Sequence, residues 1–181
     1  MAELCVHSTV GACEYMMYQQ SLMTPLGELV VRASESGITH VEFLDTTDRQ
    51  QTDNEGRCIT EYGNAITALG IEQLSEYFAG ERQIFALPLV PQGTEFQHKI
   101  WTALQTIEFG LTCSYADIAK HIHQPTAARA VGMANGKNPI AIVIPCHRVI
   151  GKNGTLTGYA GGLDKKSWLL QHEQAAFTLV G

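Results

Sequence analysis

The sequence predicts an α/β protein of two domains, with an α/β domain at residues 1–90 and a mainly helical domain at residues 91–181. Strand-like alternation of apolar and polar residues fills the first half, and helical spacing of apolar residues fills the second. Between them lies an extended, proline-bounded segment, Ala86–Pro91, which is expected to be the linker. A chain of 181 residues is long enough to bury the cores of two small domains.

The first domain is expected to contain a three-stranded antiparallel sheet and one helix. Three alternating runs joined by close turns predict the strands: Met17–Met23, Glu28–Ala33 and Ile38–Leu44. The polar residues 45–57 are expected to form a mobile loop. A helix follows from about Thr60 to Ala79, and Gly80 is a suitable stop. Its inward face is predicted to consist of four apolar residues: Ile66, Leu69, Leu74 and Phe78.

The second domain is expected to begin with a helix near Thr94, whose core side chains recur at helical spacing: Phe96, Ile100, Trp101 and Leu104. A pair of short helices follows. Ser114 is a good N-cap for the first, Tyr115–Ile122, and Thr126 is expected to cap the second, which runs to Asn135. This spacing predicts a helix-turn-helix.

The second helix of this pair has a nearly bare outer face. Arg129, Gly132 and Met133 are expected to point outward, which makes Arg129 the one long cation of that face. An ordinary surface charge is one interpretation of Arg129, but a thin helix that lets a nucleic-acid backbone approach closely favours groove contact. Four residues are predicted on the buried side: Ala127, Ala130, Val131 and Ala134.

A reactive cysteine is the candidate functional residue. The continuous apolar run Ile140–Ile144 predicts a strand buried on both faces, and Pro145 would end it. Cys146 then emerges beside His147 and Arg148, the electropositive setting that a nucleophilic sulfur needs. A buried structural cysteine is the alternative. Because neighbours on an extended chain point to opposite faces, His147 contacts Cys146 directly only if the backbone turns there; otherwise a water must connect them.

The C-terminal residues supply further candidates. Residues 151–154 predict an Asn-Gly hairpin turn, and Tyr159–Gly162 predict a flexible wall whose backbone N–H groups can meet a ligand. A last helix is expected from about Asp164 to Ala176, with Glu173 on its apolar side. A carboxylate in that position needs a partner, for which a local Lys would be the default.

Charge is divided unevenly along the chain. Residues 1–95 hold 4 Arg against 14 acidic residues, whereas residues 96–181 hold 8 Lys or Arg against 4, which together give the net charge of −6. The basic half is therefore expected to face a polyanion, with few phosphate contacts. Five scattered cysteines, no membrane-spanning run and no signal peptide predict a cytoplasmic protein, and Cys5, His7 and Cys13 do not have the spacing of a zinc site.

Three motifs resemble one known family. Pro145–Val149, preceded by Asn138-Pro139 and followed by Gly158–Gly162, is similar to the signature of the O6-alkylguanine-DNA alkyltransferases, of which the bacterial members fit best. The resemblance covers the second half of the chain with high specificity and the first half in its order of elements. It implies a ribonuclease H-like first domain and a monomer that binds double-stranded DNA in the minor groove, without cofactor or metal. The implied reaction is an irreversible, single-turnover transfer of the alkyl group from O6-alkylguanine, and less efficiently from O4-alkylthymine, to Cys146.

The resemblance also implies roles for individual residues. Cys146 would be the nucleophile, activated by Glu173 through His147 and a water, and Tyr115 would donate a proton to the departing guanine. The substrate would further be bound by the carbonyl groups of Cys146 and Val149 and by three more residues: Asn138, which holds the site loop, Tyr159 in the wall, and Ala160 through its N–H group.

On the DNA side, the resemblance implies that Arg129 fills the space left by the flipped-out base, with Ala128, Gly132 and Met133 on the same helix. Two residues depart from the family pattern. Met133 is bulkier than the small residue expected on the groove-facing helix, and Ala141 stands where some relatives have Pro.

Three alternative functions fit the sequence less well. A lesion-binding relative without transfer activity would have replaced the cysteine, and Cys146 is intact. An unrelated Cys-His hydrolase would need an oxyanion hole, and adjacent Cys and His are not its usual arrangement. A transcription regulator that carries this domain is expected to have a four-cysteine zinc module before it, a pattern that the sequence does not show.

Overall fold

The first half of the chain folds around a sheet. The computed structural model describes residues 16–44, 59–60 and 62–175. Strands β1 to β4 lie in the order β3-β2-β1-β4, with β1–β2 and β2–β3 antiparallel: β1 Met17–Thr24, β2 Gly27–Ala33, β3 Ile38–Phe43 and β4 Ile59–Thr60. The three-stranded meander is thus confirmed, and the two-residue strand β4 adds a short parallel edge to β1. The loop expected at residues 45–57 and the segment with Cys5 and Cys13 lie outside the described residues.

Helix α1, Ala65–Phe78, covers this sheet. It begins at Ala65 rather than near Thr60, because the Asn64 side chain accepts hydrogen bonds from two N–H groups of the first turn. Gly80, with φ of +78°, ends it as expected. The predicted inward face is wrong at Leu69, which is exposed. Apart from the predicted Leu74, the buried face consists of small, polar and aromatic residues: Thr67, Gly70, Gln73 and Tyr77.

The segment expected to be a linker is bound to the sheet. Ile38 on the β3 edge donates to the carbonyl of Pro88 at 2.8 Å, and Val90 donates to the carbonyl of Ile38 at the same distance. The segment is extended, as predicted, but it pairs in parallel with the start of β3 through these bonds and is therefore not a free linker.

The second half contains four helices and one short two-stranded ladder within the described part of the chain. The helices are α2 Glu95–Leu104, α3 Tyr115–His121, α4 Ala128–Gly136 and α5 Leu163–His172, and the parallel strands are β5 Cys113–Ser114 and β6 Val149–Ile150. The predicted core of α2 is confirmed at Ile100, Trp101 and Leu104, and the Trp101 indole donates to the Ala134 carbonyl at 3.0 Å, which fixes α2 against α4. One continuous apolar core joins both halves. None of the described helices combines the length and apolar character needed to cross a membrane.

Helices α3 and α4 form the predicted helix-turn-helix, with two corrections. Ser114 caps α3 as expected, but Thr126 does not cap α4, which begins at Ala128 without a side-chain cap. Ala130 is exposed, and Asn135 is buried in its place beside Val131. The buried face is therefore rotated relative to the projection, because a polar side chain with a specific partner replaces one of the apolar positions that defined it.

Candidate active site

The apolar run before the candidate cysteine forms a buried turn, not the predicted strand. Ile140, Ile142 and Ile144 are all buried, but only Ile140 pairs with a strand, through a single bridge to Val41. The chain then turns back: Ile142 has φ of +71°, and Ile144 donates to the carbonyl of Ile140 at 3.0 Å. The prediction failed because a continuous apolar run is equally compatible with any fully buried backbone.

Asn138 ties this turn together. Its Nδ2 atom donates to the carbonyl of Ile144 at 2.8 Å and, more weakly, to that of Ile140 at 3.3 Å, while its Oδ1 atom accepts from the Ile140 N–H at 3.0 Å. Strand β3 holds the other side, since Val41 donates to Pro139 at 2.9 Å and accepts from Ala141 at 2.8 Å. Residues 138–144, which form the site loop, are thus fixed by the side-chain amide of Asn138 and by hydrogen bonds to β3.

Cys146 begins a single 3₁₀ turn, Cys146–Arg148, that follows Pro145. The cysteine is 5% exposed, and burial raises the pKa of its thiol, while a hydrogen bond from Asn138 and the charge of Lys166 oppose this rise. The expectation that Arg148 supplies the positive charge beside the sulfur is wrong. The guanidinium of Arg148 points to Glu173 instead, and Lys166 is the cation that acts on Cys146.

Glu173 is the centre of a buried hydrogen-bond network. Its Oε1 atom accepts from His147 Nε2 at 2.8 Å, from Tyr77 Oη at 2.7 Å and from Arg148 Nη2 at 3.1 Å, and its Oε2 atom accepts from Arg148 Nε at 2.7 Å. Burial alone would raise the pKa of Glu173, but the hydrogen bonds and charges of His147 and Arg148 lower it to about 2. Helix α5 ends at His172 rather than Ala176, so Glu173 is its C-cap.

His147 is placed to accept a proton. Its ring is fully buried, and this burial lowers the pKa of His147 despite the neighbouring carboxylate, so that the imidazole is neutral at neutral pH. Because an ionised Glu173 can only accept, the ring proton lies on Nε2. The other ring nitrogen, Nδ1, has no hydrogen-bond partner among the described residues. An unprotonated imidazole nitrogen next to the cysteine in the chain is the feature that a general base requires.

Lys166 is a site residue that the sequence prediction missed. Its Nζ atom is buried and donates to the carbonyls of Val149 and Thr157, both at 2.6 Å. Burial lowers the pKa of Lys166 to about 8, and the charge of Cys146 counteracts this effect. Its spacing to Leu169 and Leu170 places it on the apolar side of α5, the same signal that singled out Glu173.

A cavity of about 200 Å³ lies against Cys146. Its walls come from β3, the site loop, the end of α4 and the Tyr159–Gly161 segment, and they include Phe43, Asn135, Asn138, Ala141, Tyr159 and Ala160. The Tyr159 hydroxyl is buried without a partner within the described part of the chain, and burial raises the pKa of Tyr159, so this group is a protonated donor. The structure therefore brings three of the predicted substrate-binding residues together around the sulfur.

Tyr115 connects the cavity region to the helix-turn-helix. As the first residue of α3, it donates from Oη to the Thr157 carbonyl at 3.2 Å, and burial raises the pKa of Tyr115. Gly132 of α4 lies on the Tyr115 ring, because a Cβ atom at Gly132 would be 3.7 Å from two ring carbons. Arg129 and Met133 are exposed on α4, whereas Ala128 and Gly132 are partly covered.

The two carbonyl groups assigned to substrate binding already accept hydrogen bonds within the protein. Lys166 donates to Val149, and Asn135 donates from Nδ2 to Cys146 at 3.3 Å. The Cys146 carbonyl also accepts from the Val149 N–H group at the end of the 3₁₀ turn. Both of its lone pairs are therefore used, and a bound base would have to replace the longer bond from Asn135. Asn135 was missed by the sequence prediction because an Asn near the end of a helix is more typical of a cap.

A buried cysteine with a histidine–carboxylate pair behind it, held next to a helix-turn-helix, defines the class: a DNA-binding protein with a nucleophilic cysteine. Comparison with known proteins identifies the family. Residues 17–91 match the sequence model of the 6-O-methylguanine DNA methyltransferase ribonuclease-like domain, and residues 95–175 match that of the 6-O-methylguanine DNA methyltransferase DNA binding domain. The chain belongs to the 6-O-methylguanine DNA methyltransferase family.

Individual relatives cover nearly the whole chain. The methylated-DNA–protein-cysteine methyltransferase of Methanosarcina acetivorans is 44% identical over 157 residues, which cover 87% of this chain and 98% of the relative. The constitutive protein of the same name from Bacillus subtilis is 42% identical over 174 residues, which cover 90% and 98%. The crystal structure of Mycobacterium tuberculosis O6-methylguanine methyltransferase matches with a TM-score of 0.78 at 42% identity, covering 88% of this chain and 93% of that one. The structure of Mycobacterium tuberculosis OGT in complex with DNA matches with a TM-score of 0.75 at 42% identity, covering 87% and 92%.

The Glu173 network predicts a characteristic dependence of stability on pH. The pKa of Glu173 is lower in the folded protein than in the unfolded chain, so its stabilisation is complete above the unfolded value, about 4.3, and is lost as the pH falls towards about 2. Glu173→Gln should reduce the free energy of unfolding at pH 7 by about 3–5 kcal/mol, because it leaves Arg148 buried without its counter-charge. Urea unfolding of both proteins should show this difference shrinking as the pH falls below about 4.

The matched control is Glu42→Gln, which removes a carboxylate from a partly exposed pair with Arg32 and should change stability by about 0–1 kcal/mol. A Glu173→Gln difference that stays constant down to low pH would show that the carboxylate is not held in its ionised form.

Proposed function

We propose that this protein repairs alkylated DNA by transferring the alkyl group of O6-alkylguanine, and less efficiently of O4-alkylthymine, to its own Cys146. The single observation that carries the proposal is the arrangement of the sulfur: Cys146 lies at a cavity, next to a neutral His147 whose Nε2 atom is bound to Glu173 and whose Nδ1 atom bonds to no described residue. Membership in the 6-O-methylguanine DNA methyltransferase family supports the same reaction.

DNA would approach the exposed face of α4. Arg129 and Met133 project from this face beside the small, exposed Ala130, so a duplex backbone can come close. Because the sulfur is buried, the alkylated base must leave the stack to reach the cavity. Arg129 would occupy the space that the base leaves, and Tyr115, against which Gly132 lies, would sit between the groove and the cavity.

The transfer is a single displacement at the alkyl carbon. The Cys146 thiol loses its proton through a water to Nδ1 of His147, and the imidazolium is stabilised by Glu173. The sulfur then forms a bond to the alkyl carbon while the bond from that carbon to O6 of guanine breaks. Lys166 stabilises the negative charge on the sulfur before the attack. No cofactor is needed, because the sulfur is both nucleophile and final acceptor.

The departing guanine takes up one proton. Tyr115 is protonated, since burial raises its pKa, and its hydroxyl would donate to the base as the electron pair moves onto the purine. The resulting phenolate and the imidazolium of His147 then neutralise each other by exchange with solvent. The N–H group of Ala160 and the carbonyls of Cys146 and Val149 would bind the base, while Tyr159 forms the wall of the cavity.

Two broader inferences belong to the same proposal. Residues 1–90 and 91–181 would act as the two domains, the second carrying both the DNA-binding helix and the reactive cysteine. A monomer in the cytoplasm is the expected form, and the odd number and scattered positions of the five cysteines fit a reducing compartment.

Mass spectrometry after incubation with duplex DNA that contains O6-methylguanine tests the function. The peptide that contains Cys146 should gain one CH₂ unit, and the reaction should stop at one methyl group per protein, because the thioether product cannot ionise. Cys146→Ala should bind the damaged duplex and gain no mass. Cys113→Ala is the matched control and should react normally, since burial raises the pKa of Cys113 to about 11. A methyl group on Cys113, or binding by the native protein without any mass gain, would contradict the proposal.

Arg129→Ala separates base extrusion from chemistry. The variant should repair duplex DNA on the order of tenfold or more slowly, because unstacking a base requires a few kcal/mol, whereas its reaction with the free base O6-benzylguanine should stay near the native rate. The control Arg82→Ala removes the same charge from the loop after α1 and should change neither rate. Equal losses with duplex and free base would assign Arg129 to folding rather than to the flipped-out base.

A further inference from the structure

Glu173 is held by its own helix only through its backbone, since its N–H group donates to the Leu169 carbonyl at 3.0 Å. It lies one residue beyond α5, and the next residue, Gln174, has φ of +57°, a left-handed conformation that turns the chain back so that Ala175 donates to Leu170 at 2.8 Å. The carboxylate is nevertheless fully buried. A side chain at the end of a helix keeps one orientation in such a place only if donors from other segments fix it.

One of these donors comes from the sheet half of the molecule. Tyr77, on the inner face of α1, is fully buried and donates from Oη to Glu173 Oε1 at 2.7 Å, across 96 positions of sequence. This is the same oxygen that accepts from His147 Nε2 at 2.8 Å. Burial, together with the charge of Glu173, raises the pKa of Tyr77 far above its usual value, so the hydroxyl keeps its proton and always donates.

A second hydrogen bond fixes the backbone of Tyr77. His172, the last residue of α5, bonds through Nε2 to the Tyr77 carbonyl at 2.7 Å, and its ring stacks on Trp168 at a centroid distance of 5.0 Å and an angle of 11°. The C-terminal ends of α1 and α5 are therefore joined by two hydrogen bonds, one from each of two consecutive residues, His172 and Glu173. One of these two bonds ends on the carboxylate of the proposed relay, so the junction of α1 and α5 includes a group of the reactive site.

We propose that Tyr77 is a positioning residue of the alkyl-transfer reaction, which holds the Glu173 carboxylate in the orientation that supports His147. The inference rests on the proposed function, because it concerns the relay that activates Cys146. It also assigns a part in the reaction to α1, an element that does not line the cavity at the sulfur.

The direction of the effect follows from the alternatives open to the carboxylate. Without the Tyr77 hydroxyl, Glu173 retains Arg148 and His147, and its Oε1 atom can move to shorten the 3.1 Å bond from Arg148 Nη2 at the expense of the bond from the imidazole. His147 would then hold the thiol proton less firmly, and Cys146 would ionise at higher pH. The other groups that act on this system are Lys166, Tyr115 and Tyr159, all of which the substitution leaves in place.

The test is the pH dependence of single-turnover transfer from free O6-benzylguanine, measured with the full chain across about pH 5 to 10. Tyr77→Phe should move the inflection to higher pH and slow the reaction roughly 3- to 30-fold at neutral pH, with the native rate recovered above the inflection; this is less than the about 10²–10⁴-fold that losing a positioned base costs. Glu173→Gln is the reference for loss of the relay and should move the inflection in the same direction and further.

The matched control is Tyr18→Phe, which removes another tyrosine hydroxyl from a carboxylate, that of Glu35 on the surface of the sheet half, and should follow the native profile. Urea unfolding of each variant confirms that folded protein is compared. An unmoved inflection in Tyr77→Phe, even with a lower rate at every pH, would overturn the inference, as would a shift to lower pH or an unmoved inflection in Glu173→Gln. Absence of transfer from damaged duplex by the native protein is a separate result, which would reject the proposed function itself.

Discussion

One buried carboxylate holds together three segments that are far apart in the sequence. Glu173 accepts hydrogen bonds from Tyr77 on α1 and from His147 and Arg148 after the site loop. A charge in the interior is stable only when it is paired and fully hydrogen-bonded, so each donor must keep its place. The 3₁₀ turn at Cys146–Arg148 follows from this requirement. Two consecutive side chains reach one carboxylate because the backbone turns there, whereas on an extended chain they would point to opposite faces.

The same constraint decides where the sulfur lies. With His147 and Arg148 directed towards Glu173, Cys146 is left facing the cavity, next to walls from both halves of the protein. Strand β3 contributes directly. The N–H group of Val41 donates to Pro139, its carbonyl accepts from Ala141, and Phe43 lines the cavity. The Tyr115 ring connects this region to α4. The sheet half is thus part of the reactive site in geometry, although the helix proposed to contact DNA belongs to the helical half.

Local sequence signals predicted most of the elements but few of the contacts. Strands β1 to β3, the cap of α3 and the outward direction of Arg129 follow from alternation, capping chemistry and helical projection, all of which depend on neighbouring residues. Glu173 was found because a carboxylate on an apolar helix face requires a partner. Tyr77 and Asn135 could not be found in this way, because their role depends on partners brought close by the fold. Arg148 was wrongly assigned to the sulfur, because sequence adjacency does not determine which way a side chain points in a turn.

The protonation state of His147 in the free protein is the most direct test of whether this residue can take the proton of Cys146. Nitrogen NMR of the protein with ¹⁵N-labelled histidine reads the proton on each ring atom, and the His147→Gln variant assigns the signals. We expect a neutral ring at neutral pH with its proton on Nε2, bound to Glu173, and an unprotonated Nδ1 that can take the thiol proton. A proton resident on Nδ1, either in the other neutral tautomer or in a doubly protonated ring, would contradict this expectation.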